Sequence, residues 1–154
     1  MMKSKTLATW LTFVAGPLGL HRFYLIGFQD TLAWLMPIPT ALGVWGFERV
    51  REFGLDDPLS WVLLPILGVH VAACCLQAIV YGLEKPEVWN ARFNPDADPQ
   101  APAGRSSWLT VFALIFSLMV GTAALLSAIA YGTQRYFETV LEKHSQVITL
   151  DRWS

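Results

Sequence analysis

Two long stretches of the chain, residues 59–83 and 108–132, contain no Asp, Glu, Lys or Arg. A helix rises 1.5 Å per residue, so about 20 apolar residues cross the roughly 30 Å hydrocarbon core of a bilayer. Each stretch is long enough for that. The chain is 15% charged, whereas soluble domains are usually about 25% charged. We therefore predict an all-α integral membrane protein in which both stretches are transmembrane helices.

Two shorter apolar segments precede them, at residues 6–20 and 31–47. The first is broken at Gly16 and Pro17, and the second is interrupted by Pro37 and Pro39. Proline lacks the N–H that an interior helix position needs, so each interruption ends or kinks a helix. We expect about four hydrophobic helical segments, of which the first two are short or broken, with the second divided near residue 36.

The polar interruptions predict five regions along the chain. The segment EKPEVWNARFNPDADPQAPAGRSS is rich in Pro, Ala and Asp and reads as a loop, lying either at a membrane surface or simply exposed. The expected order is the two short segments (1–57), a third helix (58–84), the polar Pro- and Ala-rich loop (85–106), a fourth helix (107–137) and an amphipathic tail (138–154).

The distribution of Lys and Arg gives a prediction of orientation. If all four segments cross, seven cations lie on the side of both termini and four on the side of residues 22 and 85–105. Cytoplasmic loops are enriched in Lys and Arg. Both termini are then expected in the cytoplasm of a bacterial inner-membrane protein, unless the first two segments form a shallow hairpin that never crosses.

The segment GPLGLHRFYLIG, residues 16–27, ends the first apolar segment. Its glycines and Pro17 stop the helix and permit a tight turn. Arg22 can then reach lipid phosphate or helix-end carbonyls, while Phe23 and Tyr24 settle at the membrane interface. We predict an interfacial turn with a cation and two aromatic side chains.

The same residues resemble the two-transmembrane domain (TM-2) family. The family motif is matched at eight positions: Gly16, Gly19, His21, Arg22, Phe23, Tyr24, Leu25 and Gly27. The resemblance covers about residues 3–55 and departs from the family at Pro37, Pro39, Glu48 and Arg49. It implies a helical hairpin in residues 1–57 of a small bacterial inner-membrane protein with no assigned activity. Animal members of the family are usually drawn with this turn in the cytoplasm, contrary to the charge count.

No catalytic motif occurs in the sequence, and the three histidines, His21, His70 and His144, lie far apart. Cys74 and Cys75 are adjacent in the sequence. A disulfide between neighbours is strained, and two neighbouring cysteines alone make a poor metal site, so we interpret them as packing residues. We predict no enzymatic activity, no catalytic residue, no metal and no cofactor. The net charge of −1 gives no reason to expect a nucleic-acid partner.

His70 lies near the middle of the third segment, where a polar side chain is costly and often functional. Three interpretations remain open: a hydrogen bond across a helix interface, a proton or ligand site, and a metal ligand. The leading hypothesis for function is a scaffold or accessory protein whose turn contacts lipid head groups, another copy or another membrane protein. The alternatives are a small transporter or channel-like oligomer using His70, and a membrane enzyme acting on lipid.

Overall fold

The computed structural model describes the backbone of residues 2–151 and the side chains of residues 2–141. This part of the chain is all-helical, with 79% helix and no strands. Its two longest helices are α5 (Ser60–Leu83) and α7 (Trp108–Asp151), with 24 and 44 residues. These are the two helices long and apolar enough to cross a membrane, and they coincide with the two charge-free stretches of the sequence. The expected number of about four membrane segments is not confirmed.

Helices α5 and α7 pack antiparallel through small residues. Glycines at three positions leave room for a neighbour that a Cβ would displace: Gly68 faces Ala128, Gly121 faces Cys75 and Gly82 faces Leu114. The pairs recur every seven residues in both helices, as expected when one face of each helix follows the other along its length. Without bulky side chains in the seam, the two backbones approach closely and gain dispersion contacts.

The amino-terminal segment is a hairpin that turns back on itself. Helix α1 (Lys5–Ala15) begins after Ser4, whose side chain accepts a hydrogen bond from the Leu7 N–H. A 3-10 turn at Gly16–Leu18 follows, and α2 (Leu20–Leu25) then returns toward the start of α1. The Lys3 ammonium group donates to the carbonyl of Leu25 at 2.5 Å. At 11 residues, α1 is about 16 Å long, roughly half the depth of a bilayer core.

The second segment is broken where the prolines predict a break. Helix α3 (Thr31–Leu35) ends at Met36, and α4 (Pro37–Phe53) starts at the first proline. Helix α4 then packs against the first half of α5, where Gly43 faces Leu67 and Gly46 faces Leu63.

The segment expected to be a loop at residues 85–106 contains further helix. It forms α6 (Pro86–Phe93) and a 3-10 turn at Pro102–Gly104. The side chain of Trp89 is fully buried, and Asn90 donates to the carbonyls of Pro99 and Ala101 at 3.0 and 3.1 Å. These hydrogen bonds fold the segment back onto α6, and a composition rich in proline and aspartate gives little indication of this.

The predicted boundary between a fourth helix and a separate tail at residue 138 is also absent. Helix α7 continues without interruption to Asp151. The segment 133–151 contains neither glycine nor proline, so no residue in it stops the helix. Residues 152–154 of the predicted tail lie outside the described part of the chain.

The hairpin changes which parts of the chain share an end of the bundle. The backbone N–H of Lys3 donates to Asn94 at 2.6 Å, so the amino terminus contacts the segment after α5. Four full crossings would place these two regions on opposite sides, so this contact does not fit that arrangement, and the number of crossings is not confirmed. Of the eleven Lys and Arg, six lie at this end and only three at the other, leaving Lys143 and Arg152 outside the described side chains. The larger share of the described Lys and Arg therefore lies at the end that carries the amino terminus and residues 85–105.

The α5–α7 seam gives a test of close packing. Gly121→Ala would place a Cβ 2.7 Å from the Cβ of Cys75, whereas Gly132→Ala would meet its nearest atom, in Pro65, at 3.9 Å. Both substitutions raise helix propensity equally, but overpacking costs about 1–3 kcal/mol. We expect Gly121→Ala to be less stable than Gly132→Ala by about that amount in thermal unfolding of the detergent-solubilised chain. Equal midpoints would contradict the close seam.

Candidate functional site

The predicted turn begins beside the middle of α5, where Pro17 contacts His70, and runs back through α2 to the end of the bundle that carries the amino terminus and α6. Gly19 has φ of 76°, in the left-handed region that favours glycine, and a Cβ there would collide with the backbone carbonyl of Ala33. Gly16 approaches Cys74 of α5 so closely that a Cβ would lie 2.9 Å from the Cβ of that cysteine. Gly27, with φ of 111°, ends the turn. The glycines thus allow α2 to reverse direction against α3 and α5.

Arg22 has a different partner from the predicted phosphate or helix-end carbonyl. Its Nε donates to the carboxylate of Asp30 at 2.5 Å. The other carboxylate oxygen accepts from the backbone N–H of Leu32 at 3.3 Å and caps α3. The hydrogen bond from Arg22 lowers the pKa of Asp30. One ion pair therefore connects the last turn of α2 with the first turn of α3.

His21, predicted as part of the same motif, points into the protein. Its side chain is 1% exposed, and its ring lies 6.3 Å from the ring of Tyr81 in α5. Burial and the neighbouring charge of Arg22 lower the pKa of His21 from 6.5 to about 4. The imidazole is thus held neutral at pH 7, and its buried Nδ1 has no hydrogen-bond partner within the described residues.

Phe23 and Tyr24 point to different surroundings. Phe23 packs against Phe28 and Trp34, with ring centroids 5.3 and 5.1 Å apart. Those two neighbours are 77% and 62% exposed, so the three rings form an outward patch beside the Arg22 ion pair. The Tyr24 hydroxyl instead accepts from the backbone N–H of Ser4 at 2.8 Å. Phe23 therefore belongs to the outward aromatic patch, whereas Tyr24 holds the amino terminus in place.

Two lysines of the amino-terminal segment complete this end of the bundle, and sequence reasoning assigned them no such role. Lys5 is 1% exposed and donates to the carbonyl of Glu84, just after α5, at 2.8 Å. Lys3 donates in the same way to Leu25, the last residue of α2. The final carbonyls of a helix lack intrahelical partners and carry partial negative charge, so each ammonium group stabilises a helix end.

The backbone of Lys3 is held by the α6 region, a contact the sequence did not predict. Its carbonyl accepts from Nε1 of Trp89 at 3.0 Å and from the amide of Asn94 at 3.1 Å. Trp89 is buried with Tyr81 in an aromatic cluster. The sequence signal that could have predicted this contact is WNARFN, in which Trp89 is followed by two Asn four residues apart, the spacing of one helix face. We call Lys3, Lys5, Tyr24, Trp89 and Asn94 the amino-terminal clamp.

His70, in α5, contacts the tip of the α1–α2 hairpin. Its Nε2 is 3.3 Å from the carbonyl of Pro17, and the hydroxyl of Thr40 donates to the same carbonyl at 2.7 Å. Three parts of the chain thus meet at one carbonyl, a contact of the type that the helix-interface interpretation expects. The third histidine, His144, lies outside the described side chains.

The contacts around the turn join neighbouring helices to one another. Among the described residues, no group of three His, Cys, Asp or Glu side chains could hold a metal ion. Cys74 and Cys75 are buried free cysteines. The side chains around the turn serve as hydrogen-bond donors, ion-pair partners and aromatic contacts.

The fold is thus that of an all-helical chain with two helices able, by length and composition, to cross a membrane. Comparison with known proteins finds no matching family model, no matching curated protein and no matching solved structure. The resemblance to the two-transmembrane domain family therefore rests on the motif alone and remains a prediction.

The Arg22–Asp30 pair can be tested by a double-mutant cycle. Arg22→Ala and Asp30→Ala should each lower the thermal midpoint, and the double variant should cost less than their sum because both remove one interaction. Arg22→Lys should recover only part of the stability that Arg22→Ala loses, because the lysine ammonium group cannot place a donor where the arginine Nε lies. Arg92→Ala is the control, because its side chain is 58% exposed and lies 3.8 Å from Glu84. A surface change of that kind usually stays within about 0.5 kcal/mol.

The buried His21 predicts acid sensitivity. The unfolded chain takes up a proton near pH 6.5, whereas the folded chain does so only near pH 4. Stability should therefore be complete above pH 6.5, fall between these values by at most about 1.4 kcal/mol per unit, and level off below. We expect the thermal midpoint of His21→Asn to change less with pH between these two values than that of the unsubstituted chain. An unchanged slope would show that His21 titrates normally in the fold.

Proposed function

We propose that this protein is a non-enzymatic integral membrane protein of a bacterial inner membrane, acting as a scaffold or accessory subunit. The turn at residues 16–27, with its adjoining aromatic patch, would contact lipid head groups, another copy or another membrane protein. The observation that carries the proposal is the apolar outward surface of the two long helices. Large hydrophobic side chains 51–65% exposed include Val62, Val69, Leu76, Val80, Leu118, Met119 and Leu126. An apolar surface of this extent suits hydrocarbon better than water.

In the proposed arrangement, α5, α7 and the broken α3–α4 segment cross the bilayer, and the α1–α2 hairpin enters it partway. This places the amino terminus on the side of residues 85–105 and the α7 extension on the other. Both termini in the cytoplasm, as first expected, do not fit such an odd number of crossings. The six-to-three division of the described Lys and Arg favours the end that carries the amino terminus and residues 85–105 as the cytoplasmic one.

The aromatic patch supports a role at the membrane interface. Aromatic rings are enriched at the boundary between hydrocarbon and head groups. Phe28 and Trp34 are exposed beside Arg22, whose side chain is 24% exposed even with Asp30 bound. Arg22 can therefore share its remaining N–H donors with a phosphate or a partner carboxylate while the ion pair persists.

A small transporter or channel-like oligomer is the second candidate. It is favoured by the contact of His70 with Pro17 beside the broken segment, because transporter sites often use interrupted helices. Against it, the apolar α5 and residues 108–132 of α7 contain no Asp, Glu, Lys or Arg.

Membrane sidedness tests the proposed arrangement directly. On a background with Cys74→Ala and Cys75→Ala, single cysteines would replace the exposed residues Met2, Glu52 and Asp98. An impermeant thiol reagent applied to sealed vesicles should label positions 2 and 98 from one side and position 52 from the other. The same cysteines in detergent-opened vesicles provide the control for accessibility.

The competing topologies give different patterns. Four full crossings would put positions 2 and 52 together and position 98 opposite. A chain recovered in the soluble fraction, with all three positions labelled without detergent, would contradict membrane insertion itself.

A further inference from the structure

The tautomer of His70 follows from its contact with Pro17. A carbonyl oxygen has no hydrogen and only accepts hydrogen bonds, so Nε2 must be the donor across the 3.3 Å separation. A neutral imidazole carries one N–H. In that form the proton lies on Nε2, and Nδ1 presents a bare lone pair. Within the described part of the chain, Nδ1 has no hydrogen-bond donor.

A groove runs along the face of α5 that carries His70. Its volume is about 570 Å³, in the range of small-ligand sites. It is lined by Pro39, Val62, Pro65, Ile66, Val69, His70 and Ala73. It exists because the α1–α2 hairpin ends at Pro17, beside His70, and leaves the remainder of this face uncovered. All of the lining side chains except His70 are apolar.

The chemistry of the groove selects among possible occupants. Under the proposed function, on which this selection rests, the uncovered face meets hydrocarbon and not water. A water molecule held there needs two to four polar partners, and the lining side chains supply only one. A hydrocarbon chain fills apolar volume but leaves the Nδ1 lone pair without a donor, which is costly away from water. An apolar molecule with a single hydroxyl satisfies both requirements.

We propose that this groove binds a lipid-soluble phenol or alcohol, with its hydroxyl donating to Nδ1 of His70 and its apolar body against Val62, Ile66 and Val69. The hydrogen bond to Pro17 fixes the ring and its tautomer, so the acceptor is oriented before the ligand arrives. Thr40 contributes by sharing the same carbonyl at 2.7 Å. This site adjoins the start of the turn through Pro17, lies apart from the Arg22–Asp30 pair and the aromatic patch, and does not depend on which side of a membrane the termini lie.

Nitrogen NMR of the purified full chain, labelled in its histidine rings and held in detergent micelles, tests the proposal. Para-nonylphenol and its methyl ether, para-nonylanisole, are the matched probes, because the ether keeps the apolar body and lacks the donor. His70→Gln identifies the resonances of His70. We expect the spectrum to show the proton on Nε2. Adding the phenol should shift the Nδ1 resonance, and the shift should saturate. The ether should bind about tenfold more weakly, the loss expected for one hydrogen bond.

A second test uses Ala73→Phe, which fills the groove beside His70. Its control is Ala130→Phe, the same change at an exposed position of α7. The first should abolish the phenol-dependent shift, and the second should leave it intact. A proton on Nδ1, equal responses to phenol and ether, or an unaltered response in Ala73→Phe would each overturn the proposal. The probe comparison needs only the unsubstituted chain, so it decides the question even if Ala73→Phe fails to fold.

Discussion

Backbone carbonyls at helix ends and breaks need donors, and in so apolar a chain few side chains can provide them. Each unsatisfied carbonyl in hydrocarbon costs several kcal/mol. The structure places side-chain donors at three interruptions: Lys3 at Leu25, Lys5 at Glu84, and both Thr40 and His70 at Pro17. These contacts join segments distant in sequence. The positions of the hairpin, of α4 and of the amino terminus all follow from them.

Glycine has a second role, which is to bring helices into contact. Gly43 and Gly46 let α4 approach α5, and Gly68, Gly82 and Gly121 do the same between α5 and α7. In a lipid environment apolar side chains gain little by leaving the solvent, so close van der Waals packing has to hold helices together. The outward faces can then carry large hydrophobic side chains, while the contacting faces are built from small ones.

Among residues 2–141, charged groups lie at the two ends of the bundle, where several of them pair locally. Arg22 pairs with Asp30, and at the opposite end Arg49 makes two hydrogen bonds to Asp57, at 2.9 and 2.7 Å. Each pair joins one helix end to the start of the next helix. The sequence alone did not identify Asp30 as the partner of Arg22, because only the reversal of the chain at the turn brings the two together.

The sequence by itself determined the helical class, the two long apolar helices, the break near Met36 and the turn after Gly16. These depend on local properties: the absence of charge, the missing N–H of proline and the conformational freedom of glycine. Only the tertiary structure decided that the first segment turns back, that Trp89 and Asn94 hold Lys3, and that α6 exists. Those features rest on hydrogen bonds between residues some 90 positions apart, and no local pattern encodes which donor reaches which carbonyl.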